Sequence, residues 1–394
     1  MNVKSGCMVD GASIPRPFWL GRLEAAWSKA PIAWLSGVRR SGKSWLAAQL
    51  PEATILNCDL PSVQRLAEDP ESLYGSVSTR VLVLDEVHRL ADPSMVLKIG
   101  ADTRTGLRIL ATGSSTLAAL RTFRDSLTGR KRDVALQPVL FGELPAFGGA
   151  SIERRLLHGG LPQMLLADRP DPSFYSEWLD SYYARDVAEL FRVERRREFL
   201  LLARTLIRQS GSMATVTSLA KECGVSRPTV TAWMESMRVT HLIHEITPFH
   251  GNARRELLKQ PKVYAFDTGF VAHENGWDTL RPDECGRLWE NVVLEHLLSR
   301  GLPRPVRFWR KDRNEVDFVL PGTRGAADAL ECKWSPDRFD PEGIRAFRTL
   351  HPIGRNYLVC PRVTRPHVRR FGDLEVHVVD PTGIALETPY HPEP

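Results

Sequence analysis

Apolar and polar positions follow different periods in different parts of this chain. In the first 148 residues, short unbroken apolar runs alternate with stretches of helical spacing. Pro31-Ile32-Ala33-Trp34-Leu35 and Val81-Leu82-Val83-Leu84 are such runs, and Arg108-Ile109-Leu110-Ala111-Thr112 is a third. A run with no polar alternation predicts a strand covered on both faces, as in a parallel sheet. Trp45-Leu46-Ala47-Ala48-Gln49-Leu50 continues as a helix, and a further strand is expected through Val134-Ala135-Leu136. This alternation predicts an α/β domain over residues 1–148.

After Gly148-Gly149-Ala150, a plausible hinge, residues 149–210 read as helical. Phe174, Tyr175, Trp178, Tyr182 and Tyr183 are expected in its core rather than on a base-stacking surface. Over residues 211–284, Val216–Val225 predicts a helix closing on Gly224, and Ser226 caps a second helix through Met234. Leu242–Ile246 and Val263–Asp267 then read as a hairpin, which completes a winged helix-turn-helix pattern. Residues 285–394 give an amphipathic helix (286–295), a hairpin (306–310 with 315–320), a strand through Ala329–Trp334, a helix near 341–350 and a strand at 356–360.

Composition changes this picture little. The chain of 394 residues is long enough for several cores, and 42% hydrophobic with 25% charged residues is ordinary for a globular protein. No apolar stretch approaches a membrane span, and the N-terminus lacks a signal-peptide core. Six scattered cysteines without a Cys-x-x-Cys pair argue for reduced thiols in a cytoplasmic protein, and against zinc or a disulfide framework. A net charge of +6 is a weak pointer to nucleic acid.

The chemistry is concentrated in Gly37-Val38-Arg39-Arg40-Ser41-Gly42-Lys43-Ser44, a complete Gly-x-x-x-x-Gly-Lys-Ser phosphate loop between the first strand and a helix. The loop from Gly37 to Trp45 is expected to wrap phosphates with its backbone N–H groups. Lys43 would reach the β- and γ-phosphates, and Ser44 would hold Mg²⁺. The second apolar run ends in Asp85-Glu86. Asp85 is expected near the Mg²⁺, and Glu86 is placed to polarise the attacking water. These features predict binding of a nucleoside triphosphate, ATP. Thr112 or Ser114, at the end of the third strand, either senses the γ-phosphate or caps the next helix. Arg130, in the basic cluster Leu127–Arg132, is either an arginine finger acting across a subunit boundary or a solvated basic turn.

Two further groups are candidates for nucleic-acid chemistry. Arg227 and Thr229 front the second helix of the helix-turn-helix, and Arg254, Arg255, Lys259 and Lys262 lie in the expected wing. They suit DNA phosphates, although such units also serve as protein–protein joints. In the last segment, Glu331 and Lys333 share one face of a strand. Asp317 ends the strand before it and Glu290 lies on the preceding helix, a set able to hold Mg²⁺ and a nucleophilic water. The same residues can also make a structural ion-pair network.

The ordered set of motifs resembles the bacterial and archaeal AAA-type ATPases of the AAA+ superfamily that carry a C-terminal domain of unknown function. The resemblance runs from about residue 15 to residue 365 through the phosphate loop, Leu84-Asp85-Glu86, Ala111–Ser115, Leu127–Arg130, Gly159-Gly160-Leu161-Pro162 and Glu315–Val319. It implies a P-loop ATPase core (1–148), a helical lid (149–210), a winged helix (211–284) and a restriction-endonuclease-like α/β domain of the PD-(D/E)xK type (285–394). It also implies ATP and Mg²⁺ as cofactors, DNA as a partner and self-assembly into an oligomer. The expected function is DNA-coupled ATP hydrolysis. An ATP-gated nuclease and a nucleotide-controlled switch for a protein partner are the alternatives. The loop Pro321–Ala327 between Asp317 and Glu331 leaves their alignment open.

Overall fold

The computed structural model describes residues 8–9, 12–113, 127–191, 193–250 and 260–385. A short antiparallel pair, β1 (Met8–Val9) with β2 (Ala12–Ser13), precedes the helix Pro17–Trp27. The first sheet holds β3 (Ile32–Ser36), β4 (Ala53–Asn57), β5 (Val81–Asp85), β6 (Arg108–Thr112) and β7 (Lys131–Ala135), in the order β4-β5-β6-β3-β7 with every pairing parallel. The three inner strands are the continuous apolar runs. Their alternate residues feed two separate cores: Trp34, Leu82 and Ile109 on one face, and Ala33, Leu35, Val83 and Leu110 on the other.

Two sequence expectations shift here. The helix after the phosphate loop is only Lys43–Ala47, because Pro51 cannot continue it. The basic cluster is not wholly a turn, since Lys131 and Arg132 already belong to the edge strand β7. The opening helix is fastened by a buried ion pair. Arg16 donates through Nε and Nη2 to Glu143, which also accepts from Trp19 Nε1 and the Leu140 N–H.

Beyond residue 150 the apolar core runs without a break from Leu156 to Leu297, so the helices of 152–208 and those of 216–239 share one interior. Helices Ile152–His158, Pro162–Leu166 and Pro172–Tyr182 lead into a π-helical turn, Tyr183–Val187, and then to Arg196–Arg208. The aromatics are core residues: Trp178 stacks on Tyr182 and on Phe266. Burying each such ring stabilises the fold by about 1.5–3 kcal/mol. Helices Val216–Cys223 and Arg227–Val239 meet at Gly224, and the Ser226 hydroxyl caps the second at the Thr229 N–H. They pack on a three-stranded antiparallel sheet of β8 (Ser212–Met213), β9 (Ile243–Ile246) and β10 (Lys262–Ala265), in the order β8-β10-β9.

The last sheet has six strands: β11 (Arg307–Lys311), β12 (Asn314–Pro321), β13 (Ala327–Cys332), β14 (Asn356–Val359), β15 (His367–Phe371) and β16 (Leu374–Val379), in the order β11-β12-β13-β14-β16-β15. Helix Pro282–Ser299 joins one face to the large core, and helix Glu342–Leu350 covers the other. The five described cysteines are free and buried. Among the described residues no helix is long and apolar enough to cross a membrane.

Candidate nucleotide site

The phosphate loop leaves the C-terminal end of β3, an inner strand of a parallel sheet, where such folds place their ligands. Gly37 has φ +142°, and a Cβ there would lie 2.5 Å from the Leu136 carbonyl oxygen. Gly42, at φ +95°, starts the short helix in the left-handed region. Both positions therefore require glycine. Lys43 Nζ donates to the Gly37 and Val38 carbonyls at 2.9 and 3.1 Å, so the ammonium lies over the loop it serves. Burial lowers its pKa, while Glu86 and Asp186 pull the other way. The Ser44 hydroxyl faces solvent, and the buried Ser41 hydroxyl has no hydrogen-bond partner. This glycine-shaped cradle, with its ammonium and its exposed hydroxyl, fits a triphosphate with Mg²⁺.

Asp85 ends β5, which β6 separates from β3, and Glu86 follows it directly. Glu86 sits at φ +56°, a strained conformation for a side chain other than glycine. Its N–H donates to Thr112 Oγ1 at 3.1 Å, and the Thr112 hydroxyl donates to Asp85. Thr112 has its one hydroxyl proton committed to Asp85, so it positions the two acids. His88 Nδ1 lies 3.2 Å from a Glu86 oxygen.

The Arg39 and Arg40 side chains turn towards the helices of 172–191: Arg39 pairs with Asp186 at 2.7 Å, and Arg40 lies over the Phe174 ring. Trp178 Nε1 donates to the Arg39 carbonyl at 3.2 Å, and the Val38 side chain is buried in the lid core. The Trp45 side chain is buried with Val139, Leu144 and Phe147, leaving only its backbone for a ligand. Arg130 precedes the residue opposite Ile32, so it lies at the sheet edge away from the loop, paired with Asp102 at 2.6 Å. Ser114, Arg254, Arg255 and Lys259 lie outside the described residues.

Sequence reasoning missed Asp186, which the π-helical turn aims at Arg39, and His241, whose Nε2 lies 3.2 Å from Ser36 Oγ beside the loop. A histidine where a helix ends in a left-handed residue was the available signal for the second. The inserted residue of a π turn leaves no such signal.

The acidic set of the last sheet does come together. Phe318 opposite Leu330 sets the register, so Asp317 and Glu331 are neighbours on adjacent strands despite the loop between them. Asp317 accepts from the Cys332 N–H at 2.8 Å, and Lys333 pairs with Glu331 at 2.6 Å. Glu290 accepts from the Tyr264 hydroxyl at 3.0 Å. Burial raises the Glu290 and Glu331 carboxyls to about 8, with Asp317 adding to both shifts. Among the described residues, no three His, Cys, Asp or Glu side chains are placed to hold a metal together.

Lys262, expected on a basic wing facing DNA, is instead buried against this set. Its ammonium pairs with Glu315 and lies within the field of Glu290 and Asp317. Lys262→Met is expected to destabilise the chain by about 1.5–3 kcal/mol, the worth of a hydrogen-bonded buried charge. Urea denaturation measures the loss. A wing cation would instead leave the midpoint unmoved and weaken DNA binding.

A family model described as an AAA domain matches residues 29–145. Two others match 149–281 and 285–376, both described as domains of unknown function (DUF8612 and DUF4143). An uncharacterized protein of Mycobacterium tuberculosis is 27% identical over 317 residues, covering 76% of this chain and 69% of its own. One from Methanocaldococcus jannaschii is 23% identical over 325 residues, covering 73% and 71%. The Walker-type ATPase PABY2304 of Pyrococcus abyssi aligns in structure with a TM-score of 0.43 at 14% identity, over 70% of this chain and 99% of its own. Over residues 29–145 this chain is similar to AAA domains, and that match supports an AAA-type P-loop ATPase.

Proposed function

We propose that this protein is a Mg²⁺-dependent ATPase that binds DNA and couples ATP hydrolysis to DNA remodelling or translocation, working as an oligomer. The observation that carries the ATPase part is the cradle itself. Gly37 and Gly42 shape the loop, Lys43 lies over it, and Asp85 and Glu86 are held beside it by one threonine hydroxyl. Lys43 would balance phosphate charge, and Glu86 would orient and deprotonate the attacking water. Ser44 and Asp85 would hold Mg²⁺, which supplies charge neutralisation between phosphate oxygens when bound.

The DNA part rests on the helix Arg227–Val239, packed on an antiparallel hairpin sheet as in winged helices. Arg227 is exposed at its first turn, beside the half-buried Thr229. Its Arg238 is neutralised by Glu235, so the expected contacts are few and to the backbone. The test is steady-state ATP hydrolysis with single-stranded, duplex and four-way-junction DNA across a salt series. Stimulation by one form, fading steeply with salt, is the expected result. Hydrolysis indifferent to every DNA would overturn the coupling. A nuclease is the second reading, favoured by the convergence of Asp317, Glu331, Lys333 and Glu290. The Lys262 charge lies within the field of Glu290 and Asp317 and would compete with Mg²⁺ for them, and the DNA recovered from the same incubations reports any cutting.

A further inference from the structure

The helix-turn-helix region contains three helix ends of one kind. Val216–Cys223 closes with the Val225 N–H on the Ala220 carbonyl and the Gly224 N–H on Lys221, and Thr268–Asn275 does the same with Trp277 on Ala272 and Gly276 on His273. Both place glycine in the left-handed position, at φ +65° and +69°. Helix Arg227–Val239 closes identically, with Leu242 on Met237 and His241 on Arg238, but its left-handed residue is His241 at φ +61°. Glycine would relieve that strain, so the ring has a use that backbone geometry does not explain.

Its surroundings indicate the use. His241 Nε2 lies 3.2 Å from Ser36 Oγ, and Ser36 directly precedes Gly37, whose carbonyl holds the Lys43 ammonium. The ring is therefore at the same end of the loop as Lys43. Burial, and after it the Lys43 charge, push the ring pKa down to about 4, so it is a neutral hydrogen-bonding group. The same helix end is tied to the lid. Thr240 Oγ1 lies 2.6 Å from the Tyr182 hydroxyl, one residue before the π turn that supplies Asp186 to Arg39.

We propose that His241 is a ligand to the terminal phosphates of the bound nucleotide, through which ATP and ADP hold the helix pair 216–239 in different positions. This deepens the ATPase reading and rests on it. The residue belongs to the DNA-facing unit but makes its contact at the nucleotide. Hydrolysis is then transmitted to that unit directly, without passage through the lid alone.

The experiment uses the full chain as wild type, His241→Gly and His241→Asn, with Mg²⁺ and fluorescent forms of ADP and a non-hydrolysable ATP analogue. Glycine and asparagine both accept the left-handed position, and neither reaches Ser36. Both variants are expected to melt no lower than wild type. They should bind the ATP analogue about tenfold or more weakly, as for a lost hydrogen bond to a charged group. The nucleotide-dependent change in hydrogen exchange across 227–239 should also vanish, a readout that a purely structural role would not move. Variants with wild-type affinity and wild-type exchange response overturn the proposal while leaving the ATPase reading intact. A wild type that binds neither nucleotide overturns both.

Discussion

Lys43→Ala is expected to lower ATP hydrolysis by about a hundredfold or more without unfolding the protein. The ammonium lies over the loop, bonded to the Gly37 and Val38 carbonyls, and no carboxylate pairs with it in the described structure. Truncation therefore strands no buried partner charge. What is lost is a fixed positive charge where negative charge builds up during phosphoryl transfer, and such preorganised groups contribute about 10²–10³ in rate. Glu86→Gln should be as severe for a different reason. Its shape is kept, and its backbone N–H still donates to Thr112, but the base is gone. The two variants should separate in binding: Lys43→Ala weakens ATP, whereas Glu86→Gln retains it. Phosphate release and nucleotide titration measure both. An undiminished rate in Lys43→Ala would place hydrolysis elsewhere in the molecule.

How far these residues can be read from sequence depends on how local their geometry is. Gly37, Gly42, Lys43 and Ser44 are set by eight consecutive residues, and Asp85-Glu86 by the strand they end, so short-range chemistry suffices. The inner strands were legible for the same reason, since burial on both faces forces unbroken apolar runs. The directions of the Arg39 and Arg40 side chains were not legible, because the motif leaves their positions free and Asp186 and Phe174, far along the chain, meet them. Lys262 was read by charge as part of a wing. Strand alternation puts it on one face with Tyr264, and the two meet Glu315 of the last sheet and Glu290 of helix Pro282–Ser299. That partnership joins elements far apart in the chain, which no local pattern encodes. Asp317 and Glu331 lay between these cases: the residues were visible, but the register that makes them neighbours was not.

The largest loss of stability is expected from Arg155→Met. Arg155 is fully buried where helix Ile152–His158, the start of helix Thr268–Asn275 and helix Pro282–Ser299 meet. It donates to the Val139 carbonyl, to Thr268 Oγ1 and to Glu295. The Gly159-Gly160 pair exists to admit this network. A Cβ on Gly159 would lie 2.0 Å from an Asp267 oxygen, and one on Gly160 would lie 2.5 Å from the guanidinium. Methionine fills the volume but removes the charge that faces both Glu295 and Asp267, so the expected cost is about 3–5 kcal/mol. Its pH dependence follows from Glu295, which burial already raises from 4.5 to about 8 against the pull of Arg155. A carboxyl with a raised folded pKa holds its proton in the fold. Its stabilising share is full below pH 4.5 and is lost as pH climbs through about 8. Removing Arg155 raises that folded pKa further, so the variant should weaken more steeply than wild type as pH rises. Arg155→Met with Glu295→Leu should recover part of the loss, because Asp267 is then the one buried carboxyl that still lacks the guanidinium. Denaturation midpoints at acid and mildly alkaline pH measure all three. A single variant as stable as wild type at alkaline pH would mean that the charge is supplied by another group.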